Sequence, residues 1–306
     1  MQKITIIGAG RVGESTAHDL AEAELCREIA LIDIKEGVPQ GTALDIQEAA
    51  SVFGFDTRVT GSNELAALAD SDLVIITAGV PRKPGMSRSD ILGVNIPVIN
   101  GVVDEVLKSA PYAMILVVTN PVDVLTYAAW KRTGWDRARV FGLSGVLDSA
   151  RMASFIAVES GLSVKDITAL VLGGHGDAMV PLPRYSRIAG IPLEHFLSKE
   201  KIASIVARAR DGGAEILQLR KTSSAYDAPA AAVAMMVDAI VHDRKRILPC
   251  VSVLDGEYGQ SGICMGVPVV LGEDGIERVI ELPLTDDEAA DFRRSADNVR
   301  ADIARL

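Results

Sequence analysis

"KITIIGAGRVG", residues 3–13, decides the fold. An apolar, β-branched run from Lys3 stops at Gly8, and Gly8, Gly10 and Gly13 then stand in a GxGxxG spacing that opens the helical run "RVGESTAHDLAEAE". Strand, tight turn and helix follow one another without a spacer. Glycines at these places allow the sharp turn, the approach of a pyrophosphate to backbone N–H groups at a helix N-terminus, and close packing of helix on strand. The next apolar run, "EIALID" at 28–33, ends on Asp33, 20 residues after Gly13. A carboxylate there can accept hydrogen bonds from both hydroxyls of an adenosine ribose and would repel a 2′-phosphate, so the spacing predicts NAD rather than NADP, with Lys35 softening the exclusion slightly.

Working outward, "DLVIITAG" at 72–79 and "AMILVVTN" at 113–120 repeat the theme, apolar nearly throughout. Strands buried on both faces read this way, so a parallel sheet covered by helices is expected, a doubly wound α/β domain. Near residue 145 the style changes. A helix opens at "GVLDSARMASFIAVESG", and "CVSVLDGEYG", "GICMGVPVVLG" and "IERVIELPL" read as antiparallel strands with glycine turns. The expectation is a nucleotide-binding lobe over 1–144 and a mixed α/β lobe over 145–306, sharing a broad interface. The closing run "TDDEAADFRRSADNVRADIARL" begins with a capping box, Thr285 and Glu288, and places Phe292, Ala296, Val299, Ile303 and Leu306 on one face, a helix expected only to pack.

The formal charge of −10 and pI near 5.0 argue against general attraction to nucleic acid or an anionic membrane. No stretch reaches the ~20 apolar residues of a membrane span. The three cysteines, Cys26, Cys250 and Cys264, are widely spaced with no CxxC, so neither a disulfide framework nor a metal site is expected. With no leader pattern before the first strand, a cytoplasmic location is the expectation.

Two further stretches carry chemistry. "LGGHGDAMVP" at 172–181 sets His175 among glycines that leave room for a ligand, and an imidazole titrates near neutrality, as a group that gives and takes a proton must. His18, His195 and His242 have ordinary solvent or packing readings. Asp148 and Arg151 stand three apart on the helix that opens the second lobe; spacing alone allows a surface ion pair, but the apolar surroundings make the helix look buried, and buried charges persist when paired or functional. "VPRKPGMSRSD" at 80–90 gathers Arg82, Lys83 and Arg88 on one loop of an acidic chain. It follows a strand at the carboxyl edge of the sheet, where doubly wound folds bind ligands.

Together "IIGAGRVG", Asp33, "VPRKPGMSRSD", "VTNPVDV", "LDSARM" and "GGHGDAMVP" resemble the lactate/malate dehydrogenase family, in order over essentially the whole chain. "EGVPQG", "PRKPGMSR", "GGHGDAMVPLPR" and "SAYDAPAAA" point within it to the lactate-dehydrogenase-like members that act on malate. The resemblance implies a Rossmann lobe, a mixed α/β catalytic lobe, and reversible conversion of malate and NAD to oxaloacetate and NADH. It implies His175 as acid/base, Asp148 as its orienting carboxylate, and Arg151 as the holder of the substrate's α-carboxylate through a planar pair of bonds. Asn120 would bond the reacting oxygen. Ser224 would touch the substrate pocket, in a "TSSAYD" segment that departs from the family pattern at Ser223 and Asp227. Gly8, Gly10, Arg11, Val12, Gly13, Asp33, Gly79, Asn95, Val118 and Asn120 would contact the cofactor, although Val118 also reads as strand core and Asn95 as helix surface.

The cationic loop resembles the family's lid. Arg88 would polarise the substrate carbonyl, Arg82 would pair with the second carboxylate of oxaloacetate, and Lys83 would stay solvated. With pyruvate in the site Arg82 would be left unpaired, a one-sided loss that can discriminate by roughly 10⁴-fold. A lactate or other 2-hydroxyacid dehydrogenase is the rival within the class, with Arg82 as discriminator. A non-catalytic NAD-binding sensor is the rival outside it. Relatives being dimers or tetramers, the resemblance implies a homo-oligomer, and helices such as "APAAAVAMMVDAIV" could pack within or between subunits.

Overall fold

The computed structural model describes residues 1–80 and 88–306, with side chains from Asp90 onward in the second segment. Arg82 and Lys83, and the side chain of Arg88, lie outside the described residues. In chain order the main elements are β1 (Lys3–Ile7), α1 (Arg11–Glu22), β2 (Glu28–Ile32), α2 (Val38–Phe53), β3 (Arg58–Ser62), β4 (Leu73–Ile76), α3 (Arg88–Ser109), β5 (Met114–Val117), α4 (Val122–Thr133), β6 (Val140–Leu143) and α5 (Gly145–Ser160). There follow β7 (Ile167–Thr168), β8 (Val171–Gly173), β9 (Met179–Pro181), β10 (Arg187–Ile188), β11 (Ile191–Pro192), α6 (Lys199–Arg220), α7 (Asp227–Val241), β12 (Arg246–Asp255), β13 (Ser261–Gly272), β14 (Gly275–Val279) and α8 (Asp286–Ile303).

The first six strands pair in parallel in the order β3-β2-β1-β4-β5-β6, the order of a dinucleotide-binding sheet. The four apolar runs read from the sequence are β1, β2, β4 and β5, the centre of that sheet. Their continuous apolarity has a two-sided cause. Leu73 and Ile75 of β4 belong to the core under α1 and α7, with Leu20, Val233 and Val237, whereas Val74 and Ile76 belong to the opposite core, with Ile99, Val103 and Leu125 of α3 and α4. Both faces of the strand are dry, so no polar alternation survives.

Beyond β6 the same sheet continues antiparallel into β12, Cys250 standing opposite Leu143, and then through β13 to β8 and β9, with β14 on the far edge of β13. A separate three-stranded sheet orders β11-β10-β7. One apolar core runs through both halves, from Ile4 and Leu31 to Val267 and Phe292. One face of the small-residue helix α7 is buried within the chain, with Ala230, Val233, Met236, Val237 and Ile240 all at or below 1% exposed, while Ala228, Ala231 and Met235 face outward. The capping box of α8 is formed: the Thr285 hydroxyl accepts from the Glu288 N–H at 3.3 Å, and the Glu288 carboxylate accepts from the Thr285 N–H at 2.9 Å. Phe292, Ala296 and Val299 are buried as the pattern predicts, but Leu306 lies past the helix end and is exposed.

Candidate active site

The carboxyl ends of β4, β5 and β6 open onto a cavity of about 500 Å³, within the usual range for small ligands. Its wall takes Val12 from α1, Gly79 and Val80 after β4, Val118 and Asn120 after β5, Arg151 from α5, His175, and Ser224 just before α7. The structure thus gathers from six segments Val12, Gly79, Val118, Asn120, Arg151, His175 and Ser224 of the residues that the sequence nominates.

The glycine turn fits a dinucleotide. Gly8 has φ +109°, and a β-carbon at Gly13 would stand 1.8 Å from the Gly8 carbonyl oxygen, so the first turn of α1 can lie on β1 only without side chains there. Gly10 caps α1 without any side-chain bond and faces open space, leaving the helix N–H groups to an anion. One residue past β2, Asp33 is held by the loop it serves: one oxygen accepts the Ala9 N–H at 2.8 Å and the other the Lys35 N–H at 2.9 Å. Each oxygen keeps a lone pair for a ribose hydroxyl. Replacing Gly13 with Ala drives backbone into backbone, and should remove NADH binding, read by fluorescence titration, and destabilise the fold by about 1–3 kcal/mol in chemical denaturation.

Asn95 stands behind this wall, fully buried rather than on a helix surface. Its carboxamide accepts the Val80 N–H at 2.8 Å and donates to the Asn120 carbonyl at 2.9 Å, so it ties the loops after β4 and β5 together. Arg11 is largely exposed at the start of α1, where its guanidinium lies 5.8 Å from the Tyr226 ring.

At the other end of the cavity Asp148, 1% exposed, reaches two partners. Its Oδ2 lies 2.9 Å from His175 Nδ1 and its Oδ1 accepts from an Arg151 terminal nitrogen at 3.3 Å. The pair is therefore a buried ion pair and not a surface one. Burial pulls the His175 pKa down, but the Asp148 charge and hydrogen bond, with the Asp123 charge, outweigh it and leave it above the ordinary 6.5. For Arg151, burial pulls the guanidinium below its ordinary value against the Asp148 charge. Its Nε is buried with no partner among the described residues, and the guanidinium lines the cavity, a donor waiting for an anion. Two glycines in the middle of α6 make room for it: a β-carbon at Gly212 would stand 3.3 Å from Arg151 Cδ.

The glycines around His175 differ from one another. Gly176 faces open space as expected, but Gly173 and Gly174 are needed for packing, since β-carbons there would stand 2.9 Å from the Ser295 hydroxyl and 3.1 Å from a Val299 methyl. The Ser295 hydroxyl accepts the Gly174 N–H at 2.8 Å. Consequently α8 does more than pack, for Asn298, Val299 and Asp302 line the cavity. Sequence reasoning also missed Asp123, in the first turn of α4, whose Oδ2 accepts the His175 N–H at 2.9 Å. An acid set in the apolar run "VDVLTYAAW" was the available signal. Asp227 does not reach the cavity wall and pairs with Arg220 at 3.3 Å. The other histidines stay away: His18 lies against Phe53, His242 against Asp238, and His195 is exposed.

Residues 2–142 match the NAD binding domain of lactate/malate dehydrogenases and residues 145–306 match their alpha/beta C-terminal domain. A malate dehydrogenase of Nitrosococcus oceani is 64% identical over 306 residues, which is 100% of this chain and 98% of that protein. The malate dehydrogenase structure from Salinibacter ruber superposes with a TM-score of 0.95 at 46% identity, covering 100% of this chain and 97% of that one. A Cryptosporidium parvum lactate dehydrogenase solved with lactic acid and nicotinamide adenine dinucleotide gives 0.95 at 38% identity, covering 99% and 97%. With both halves matched, and with Val12 of the glycine turn, Arg151 and His175 meeting at one cavity in front of the buried Asp148, this chain belongs to the lactate/malate dehydrogenase family.

Proposed function

We propose that this chain is an NAD-dependent malate dehydrogenase, converting (S)-malate and oxaloacetate reversibly. The observation that carries the site reading is Asp148, buried between His175 and Arg151 and serving both, at the cavity onto which the dinucleotide turn opens.

In the mechanism Nδ1–H of His175 donates to Asp148, which fixes the tautomer and leaves the other ring nitrogen free to face the substrate. In malate oxidation that nitrogen takes the C2 hydroxyl proton as the C2–H bond gives up its hydride, and the imidazolium so formed is stabilised by Asp148. Arg151 holds the α-carboxylate with its fork of N–H donors, and the Asn120 amide donates to the reacting oxygen. NAD, when bound, supplies the hydride acceptor; Gly8, Gly10, Arg11, Val12, Gly13, Asp33, Gly79, Val118 and Asn120 would hold it, and Asn95 would set the two loops it rests on. Ser224 closes the pocket wall. Arg88 would polarise the carbonyl and Arg82 would meet the second carboxylate, so that a dicarboxylate is preferred over a monocarboxylate. The chain would divide at 1–144 and 145–306, the catalytic groups coming mainly from the second lobe.

NADH oxidation followed at 340 nm, with oxaloacetate and pyruvate in parallel, tests the substrate. Oxaloacetate should exceed pyruvate by roughly 10⁴-fold in kcat/KM. A preference for pyruvate would overturn the reading of Arg82, and no turnover with either would favour the non-catalytic sensor. Because reduction begins from the imidazolium, kcat/KM for oxaloacetate should fall as pH rises through the His175 pKa, with a midpoint above the ordinary 6.5. A midpoint below that value would contradict the Asp148 pairing.

Among the described residues no helix is long and apolar enough to cross a membrane. A cytoplasmic homo-oligomer, dimer or tetramer, completes the proposal; association, though not location, is supported by exposed Leu44, Val52 and Phe53 on α2 at 60%, 83% and 52%.

A further inference from the structure

Asp123 has no place in the scheme above, yet it is 5% exposed, lines the cavity, and accepts the backbone N–H of His175. Its second oxygen is buried with no partner among the described residues. A hydrogen-bond acceptor alone could be supplied by a neutral side chain, whereas a half-satisfied buried carboxylate is costly unless a nearby positive charge offsets it. The positive charge that the reaction itself creates beside it is the imidazolium of His175.

We propose that Asp123 is a positioning residue for the reaction: it pins the His175 backbone to the first turn of α4 and sets a second carboxylate, besides Asp148, near the imidazole. This rests on the reading of His175 as the acid/base group. The anchor matters because α4 follows β5 and Asn120, so the group that handles the proton and the group that bonds the reacting oxygen are held to one rigid element. The helix N-terminus also favours a negative charge at that turn.

Among the described residues the charged and titratable groups around the pair are Asp148 and Arg151 from α5, Asp302 from α8, Arg210 from α6, Asp177 on the same turn, and the buried Cys264 thiol of β13, pushed well up by burial and so neutral. Burial pushes the Asp123 carboxyl up to about 6, with the His175 N–H bond and charge opposing and Asp148 adding to the rise. At pH 7 and above Asp123 is therefore mostly ionised and raises the proton affinity of His175. Deleting its charge lowers that affinity, so the imidazolium is lost at lower pH and the fall in oxaloacetate reduction with pH moves the same way.

The test compares pH profiles of kcat/KM for oxaloacetate in the wild type, Asp123→Asn and Asp123→Leu, with His175→Asn alongside. Asp123→Asn keeps an acceptor for the His175 N–H and loses only the charge. Its alkaline limb should move to lower pH, giving roughly threefold less activity there relative to its own acid plateau, a displacement of about half a unit. Asp123→Leu loses the anchor as well and should lower kcat by roughly a further tenfold or more with little change in NADH affinity. A profile of Asp123→Asn that superposes on the wild type, or falls evenly at every pH, would overturn the inference. If these variants do not fold, NMR of the wild type decides: the His175 amide proton, bonded to an ionised carboxylate, should sit well downfield and exchange slowly at about pH 7–8, and an amide at an ordinary shift that exchanges freely overturns the proposal. Retained turnover in His175→Asn would remove the reading beneath it, whereas a dead His175→Asn with an unshifted Asp123→Asn removes this inference alone.

Discussion

Replacing His175 with asparagine lowers oxaloacetate turnover by roughly 10³-fold while NADH affinity stays within about twofold of the parent. Asparagine is near in size to imidazole and can donate to Asp148, so the 2.9 Å contact has a substitute and the buried carboxylate is not stranded. The amide has no proton to exchange near neutrality. The lost factor is therefore the proton transfer, and the end of the cavity proposed for the cofactor, built from Val12, Gly79 and Val118, is unaltered. Stopped-flow measurement of the first turnover, paired with NADH fluorescence titration, separates the two. Turnover within tenfold of the parent would show that His175 is not the acid/base.

Replacing Arg151 with lysine lowers kcat/KM for oxaloacetate by roughly 10²–10³-fold, although the charge is conserved. The guanidinium donates to Asp148 through one terminal nitrogen, and its buried Nε remains for a second partner. Lysine is a point donor and cannot serve a carboxylate with two parallel bonds while keeping Asp148. It also fills poorly the slot that Gly212 and Gly213 leave beside the guanidinium. The loss should fall mainly on KM for the keto acid, with NADH affinity unchanged. A steady-state comparison in which KM moves less than threefold would exclude Arg151 as the carboxylate holder.

The elements legible in the sequence were those whose residues answer to one local demand. β1, β2, β4 and β5 are apolar because each is covered on both faces, and the ends of α5 and α8 carry their own signals, Gly161 with φ +69° and the Thr285–Glu288 box. The edge strand β3 escaped, since "RVTGS" has one buried residue and contains Gly61, a position forced by a carbonyl of Pro39 that would stand 2.2 Å from a β-carbon. β6 escaped because four residues, "VFGL", are too few to display a period. The two-residue strands of the second sheet escaped for the same reason.

By itself the sequence determined the order of strand, glycine turn, helix and acid that makes a dinucleotide site, and it nominated His175, Asp148 and Arg151, because each requirement lies within a few residues of chain or in a recognisable motif. Only the tertiary structure decided that Asp148 serves His175 and Arg151 at once, that Gly173 and Gly174 exist for α8 and not for a ligand, and that Asp123 reaches the His175 backbone across 52 residues. Those are contacts between elements far apart in sequence, and a buried charge shows its purpose only when the partner that offsets its desolvation is in place.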